Sequence, residues 1–202
     1  MGNNDFITPL SHLGLREGEG VAGGDGLHLW DRGRVGFFQI LARKGRTGAV
    51  ATALGFDEAP RLASHGVYGT AFATTPGEWV LVCNDDEASE TLRTVSGALV
   101  GSGYVSDQSF GRAAFRLSGV KARLVLAKGC ALDWSPSVRG AGACAQTSMA
   151  GIGVIIHQID DAPTYDLYCY AGFADSFWRW LICAGEEFGV DGRRLTKEWK
   201  RD

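Results

Sequence analysis

Between Asp86 and Gly101 the apolar residues Ala88, Leu92, Val95 and Leu99 follow one another at spacings of four, three and four. That is one stripe of a 3.6-residue period, so this segment is a helix with a single face to bury. Asp85 or Asp86 is its expected N-cap and Gly101 its stop. The flanking segments supply what the stripe packs on. Val35–Ala42 is a β-rich run, apolar on nearly both faces as a central strand is. Thr47 is placed to cap a short helix carrying Val50, Ala51 and Leu54 and ended by Gly55. Strand-like Val67–Phe72 follows, then Trp79–Cys83 after the turn signal Pro76-Gly77, and Gly103–Val105 starts another strand. The order β-α-β-β-α-β is that of a split βαβ unit.

The second half reads similarly. In Arg112–Leu117, Ala113, Phe115 and Leu117 point inward while Arg112 and Arg116 point outward. Ser118 is placed to cap a helix with Ala122, Val125 and Leu126, stopped by Gly129. Strands are expected at Ala143–Met149, Ile152–Ile159 and Tyr165–Tyr170, with a turn at Asp160-Asp161-Ala162-Pro163. A last helix runs from about Ala174 to Phe188, with Gly189 as its stop. Its inner face carries Phe173, Phe177, Trp180, Leu181, Ala184 and Phe188; Trp178 and Ile182 project to the far side beside Asp175, Arg179 and Glu186. Large exposed aromatics are enriched at interfaces, which makes Trp178, Ile182 and Arg179 candidate partner contacts. The expected fold is α+β: two split βαβ (ferredoxin-like) units, antiparallel-rich sheets with helices on one face. They span about 34–108 and 110–190 within a domain at 34–190, followed by a polar tail at 191–202.

Residues 1–33 read differently. They hold eight of the 29 glycines and no sustained periodicity, so they are expected to form an arm without a core, ordered by a partner. Glycine at 29 of 202 residues is about twice its usual share, yet Pro 5 and the absence of a three-residue repeat exclude collagen. An apolar fraction of 45% excludes wholesale disorder, and no apolar run approaches the length of a membrane span. A net charge of −3 argues against non-specific nucleic-acid binding. Met1–Asp5 offers no secretory signal, and Phe6 breaks the myristoylation pattern that Gly2 would need. Five cysteines, odd in number and without a CxxC pair, point to a reducing, cytoplasmic compartment.

The search for a catalytic motif finds none that stands. Gly18–Gly23 matches GxGxxG, but no strand precedes it, Gly24-Asp25-Gly26 cannot open a helix, and Glu19 puts a negative charge in the supposed anion site. His12, His28, His65 and His157 lack metal-ligand spacing; His157 reads as a packed or edge histidine. Asp85-Asp86 and Asp160-Asp161 occupy cap and turn positions. No GxSxG or P-loop occurs. The long segment Lys128–Thr147, mixed polar and apolar, remains as a candidate contact loop, with Cys130, Leu132, Asp133, Gln146 and Thr147 its candidate residues.

Several motifs in order carry a resemblance. Pro76–Val82, Ser106–Ala114, Leu117-Ser118-Gly119, Leu126–Asp133, Cys144–Thr147, Tyr165–Leu167 and Phe177–Leu181 with Glu187–Gly189 resemble the gamma subunit of heterotetrameric sarcosine oxidase. The likeness runs from about Val35 to Gly189. Val120 and Trp134 depart from it, standing where proline and a smaller residue are expected, and residues 1–33 lie outside it.

The resemblance implies a fold like that of the aminomethyltransferase (glycine-cleavage T-protein) and a structural, non-catalytic subunit without a cofactor of its own. Its partners would be alpha, beta and delta chains holding FAD, FMN, NAD, zinc and tetrahydrofolate. Together they would turn sarcosine, water and oxygen, with tetrahydrofolate, into glycine, 5,10-methylenetetrahydrofolate and hydrogen peroxide. The gamma-type subunit of N-methylglutamate dehydrogenase is a close alternative. Two others are a stand-alone folate-binding aminomethyl-transfer domain and a small-molecule-binding regulatory module built on Lys128–Thr147. No nucleic acid or membrane partner is expected.

Overall fold

Strand formation begins inside the segment expected to be a free arm. The computed structural model describes residues 8–18, 26–58 and 61–195. Within them β1 (Glu17–Gly18) and β2 (His28–Asp31) precede the first apolar run, which is β3 (Val35–Ala42). Then follow α1 (Thr47–Leu54), β4 (Ala63–Gly66), β5 (Gly69–Thr75), β6 (Glu78–Asn84), α2 (Ala88–Ala98) and β7 (Gly103–Asp107). The second half contains β8 (Arg112–Ser118), α3 (Ala122–Gly129), β9 (Cys144–Met149), β10 (Ile152–Asp160), β11 (Thr164–Tyr170), α4 (Ala174–Gly185) and β12 (Asp191–Leu195). The GxGxxG segment lies largely outside the described residues, as does the tail beyond 195.

The first unit has the expected split topology. Its five-stranded sheet is ordered β4-β5-β6-β3-β7, so β3 lies between β6 and β7 and pairs antiparallel with both. The expected strand Val67–Phe72 is instead a hairpin, β4 to β5, with Val67 and Tyr68 in its turn.

The second sheet has seven strands, ordered β1-β12-β2-β8-β11-β10-β9. Here β12 is the closing strand of the second unit, but β2 is inserted between it and β8. The boundaries expected after residues 33 and 190 therefore cut through this sheet. The physical reason is burial: Leu10 and Leu27 are 1% exposed and Leu29 is fully covered. An arm with these residues has a core to join, and it joins this one.

Four layers result, helix–sheet–sheet–helix. Phe38, Ile40 and Leu81 meet Val50, Leu54, Val95 and Leu99 of α1 and α2 on one outer side. Phe115, Leu117, Ile156 and Leu167 meet Val125, Leu126, Phe177 and Leu181 of α3 and α4 on the other. Between the sheets, Val35, Phe37, Phe72, Val80 and Val82 pack on Ala114, Cys144, Ile155 and Tyr168. Because strand side chains alternate between faces, Phe37 and Phe38 serve two cores. Backbone hydrogen bonds also tie the units together, from Ala63 to Gly142 (2.8 Å) and from Cys144 to Arg61 (2.9 Å).

The expected caps are not used. Arg46, Glu87 and Lys121 stand at the N-caps of α1, α2 and α3 without side-chain capping bonds. Ser118 is held in β8 opposite Thr164, and Asp85 is drawn to Arg34. Gly55 and Gly189 do end their helices in the left-handed conformation. Gly129 serves another purpose. A Cβ there would sit 2.5 Å from the Trp180 ring, so glycine lets α3 and α4 approach.

Candidate functional site

The α4 surface is the first place to look for a partner contact. Its inner residues Phe177 and Leu181 are fully covered, as the helical period requires. Trp178, expected on the far side, is also buried, at 4% exposure. Its ring lies 6.0 Å from that of Phe115, and Gly192 of β12 is close enough that a Cβ there would stand 3.0 Å from Trp178 Cζ2. The added strands β2 and β12 widen the sheet beneath α4, so more of the helix is covered than one unit alone would cover. Trp180, expected inside, is half-buried and stacks on Phe177 at 6.3 Å.

What remains outward is Arg179, whose Nε donates to Asp175 at 2.8 Å, with Ile182 half-buried and Cys183 exposed. Trp178, Arg179 and Ile182 do come together, lining with Leu13, Leu15 and Val190 an open groove of about 540 Å³. The exposed Asp175 carboxyl, hydrogen-bonded to Arg179 and His12, is held below its ordinary value.

The loop candidates scatter. Cys130 is buried and bridges Met149, and Leu132 packs against the helix-side core. Asp133 is exposed; its carboxyl accepts from the Ser135 backbone N–H at 2.8 Å, which holds its pKa below the ordinary value. Gln146 lines a separate pocket of about 260 Å³ with Arg61 and Arg139, and Thr147 is half-buried in β9 opposite Val154. Trp134, the departure noted in the sequence, is buried edge-on to Tyr165 at 5.6 Å, with Arg139 over its ring.

A second exposed patch includes Phe173, expected on the inner face of the last helix but placed in the turn that precedes α4. Phe110, Tyr170 and Phe173 are 72%, 54% and 50% exposed at the ends of neighbouring strands. Arg34 lies 4.9 Å over Phe110 and Arg112 lies 3.8 Å over Tyr170, so cations cover the aromatic faces.

Sequence reasoning also missed a buried charged cluster. Arg116 was expected outward; it does point away from the helices, but there the other sheet covers it to 5% exposure. Its Nε and Nη2 donate to the two carboxylate oxygens of Asp166 at 2.7 and 2.9 Å. Arg32 Nη1 donates to Asp166 at 2.9 Å and to the Tyr168 hydroxyl at 3.1 Å. Burial alone would raise the Asp166 pKa, but the Arg116 and Arg32 charges overcome it and hold the carboxyl well below the usual range. Burial, and then Asp166, push Tyr168 up. His157 is packed, as its strand position suggested, 5.1 Å from Phe72 and 5.5 Å from His65.

The chemistry open to these groups is limited. Burial pushes the thiols of Cys144 and Cys169 up to about 11 and about 12, away from thiolate reactivity. Among the described residues no group of three or more His, Cys, Asp or Glu side chains is placed to hold a metal ion. No helix among them is long and apolar enough to cross a membrane.

Fold and site together define an α+β protein of the aminomethyltransferase T-protein fold, with a buried ion-paired cluster between its two sheets. A half-length match supports that class: glycine cleavage system aminomethyltransferase T from Bartonella henselae aligns with 90% of this chain and 49% of its own, at TM-score 0.63 and 15% identity. The sarcosine oxidase, gamma subunit family matches residues 42–187, and the chain belongs to that family. A chain of the heterotetrameric sarcosine oxidase from Corynebacterium sp. U-96, in complex with pyrrole 2-carboxylate, is 28% identical. That match covers 92% of this chain and 97% of the other at TM-score 0.75. No curated protein sequence matches.

Proposed function

We propose that this chain is a non-catalytic assembly subunit of a cytoplasmic flavoprotein oxidase acting on sarcosine. In this reading the alpha, beta and delta chains hold FAD, FMN, NAD, zinc and tetrahydrofolate and perform the oxidation and one-carbon transfer. The observation that carries the reading is the near end-to-end likeness to one chain of a sarcosine oxidase heterotetramer. The structure supports it in two ways. The α4 groove offers one apolar, arginine-bordered surface and the Phe110–Tyr170–Phe173 patch another, both of the kind interfaces use.

The test is an assay of the purified chain beside the complex. Alone, the chain is expected to bind no flavin and to release no hydrogen peroxide from sarcosine, with or without tetrahydrofolate; the complex does both. Turnover by the chain alone contradicts the proposal.

A further inference from the structure

Besides the inter-sheet cavity of about 380 Å³, on whose wall Arg32 and Arg116 are bound to Asp166, a cleft of about 260 Å³ lies where β5 faces β9 and β10. Strand alternation turns Phe72 and Thr74 of β5 toward it from one sheet. Cys144 and Gln146 of β9 face them from the other, with Ile155, the register partner of Gln146. Phe72, Cys144 and Ile155 belong to the inter-sheet core, so the floor of the cleft is apolar.

Its rim is cationic. Arg61, from the segment before β4, and Arg139, from the α3–β9 loop, both line the cleft. Bonds that join the two sheets fix the backbone beneath them: Cys144 N–H donates to the Arg61 carbonyl at 2.9 Å, and Leu62 bridges Ala143. Arg139 Nε donates to the Asp133 carbonyl at 3.1 Å, and its guanidinium lies 5.0 Å over the Trp134 ring. Burial raises the Cys144 thiol and the Arg139 charge opposes that rise, so the field of this guanidinium reaches the floor. Among the described residues no carboxylate lines the cleft, and neither arginine is in an ion pair. Asp133 and Asp161, the acids of the adjoining segments, accept instead from the backbone N–H groups of Ser135 and Ala141, at 2.8 and 3.0 Å.

Cationic rim and apolar floor select the two parts of one ligand. Guanidinium forks match a planar carboxylate. The floor takes a short hydrocarbon body, which gains by leaving water. The volume sits just below the roughly 300–1,000 Å³ of ordinary ligand pockets, which limits that body to a few carbon atoms. From these observations we infer that the cleft binds a short-chain organic carboxylate, its charged group at Arg61 and Arg139 and its chain against Phe72 and Ile155. Thr74 commits its hydroxyl proton to the Glu78 carbonyl at 3.3 Å, so the Gln146 amide is the neutral side-chain donor beside the ligand. The inference rests on the cleft alone and stands apart from the assembly reading.

The full chain can be titrated with 4,4,4-trifluorobutyrate, followed by ¹⁹F NMR, beside the isosteric neutral trifluorobutyramide. The expected result is saturable binding of the acid, displaced by butyrate, and none of the amide. Arg61→Gln is expected to weaken it at least tenfold, Gln146→Ala severalfold, and Arg43→Gln, in the β3–α1 turn, not at all. All three side chains are exposed, so the variants keep the fold. No saturation, equal binding of the amide, unchanged affinity in Arg61→Gln or Gln146→Ala, or an equal loss in Arg43→Gln overturns the inference.

Discussion

Asp166 shows how much a residue's meaning depends on what covers it. In the sequence it is one aspartate in an apolar strand, and Arg116 reads as an outward, solvated arginine. With a second sheet laid over that face, both are buried and the pair becomes a requirement, because either charge alone would be stranded. Asp166→Asn is expected to cost about 3–5 kcal/mol in chemical denaturation, the usual cost of breaking a buried pair. The pH dependence has a definite sign. A carboxyl whose folded pKa lies below its ordinary 3.8 stabilises the fold above that value, and the stabilisation drains away as pH falls toward the folded pKa. Stability of the wild type should therefore drop on acidification below about pH 4. The asparagine variant should be weaker throughout and show less of that acid-side drop. Equal acid profiles for the two would contradict the assignment.

At the scale of elements, helices and strands were largely legible and their edges were not. The stripe Ala88–Leu99 and the face Phe177–Leu181 identify α2 and α4 because helical period is a local property. The caps failed because tertiary partners competed for them: Asp85 went to Arg34, and Ser118 stayed in a strand. Trp178 failed for a related reason. Its angle on α4 was right, but β12 comes from a segment read as a polar tail, and that strand covers the far side. This changes which variant probes the surface. Trp178→Ala should destabilise the isolated chain by about 3–5 kcal/mol as a core truncation. Arg179→Glu should cost no more than about 1 kcal/mol, the loss of an exposed i,i+4 pair with Asp175 and the repulsion that replaces it. In the complex the order reverses: Arg179→Glu is expected to weaken association, read as a shift in elution of the subunit. A stable Trp178→Ala chain argues against the burial of Trp178, and an Arg179→Glu chain that assembles normally argues against the groove as an interface.

For the whole molecule, the two split units were readable from element order, while their mutual packing was not. Nothing in Val35–Ala42 alone says whether its second apolar face meets helices, solvent or another sheet. The four-layer stack answers that, with Phe37 against the Ala114–Tyr168 side and Phe38 under the helices. Stacking also creates the inter-sheet cavity, which no local pattern announces, since Arg32, Arg116, Asp166 and His65 are far apart in the chain. The eight glycines of residues 1–33 suggested an arm ordered by a partner; Leu10, Leu27 and Leu29 instead anchor its described parts to the chain's own core. The partner contacts must then be sought on the finished surface, at the α4 groove and the exposed aromatic patch. The most direct measurement is native mass spectrometry of the tagged chain co-expressed with its partner chains, with a flavin absorbance spectrum of the same sample. A single assembly containing this chain at fixed stoichiometry and carrying flavin is predicted; a lone chain, with flavin only on the others, would contradict the account.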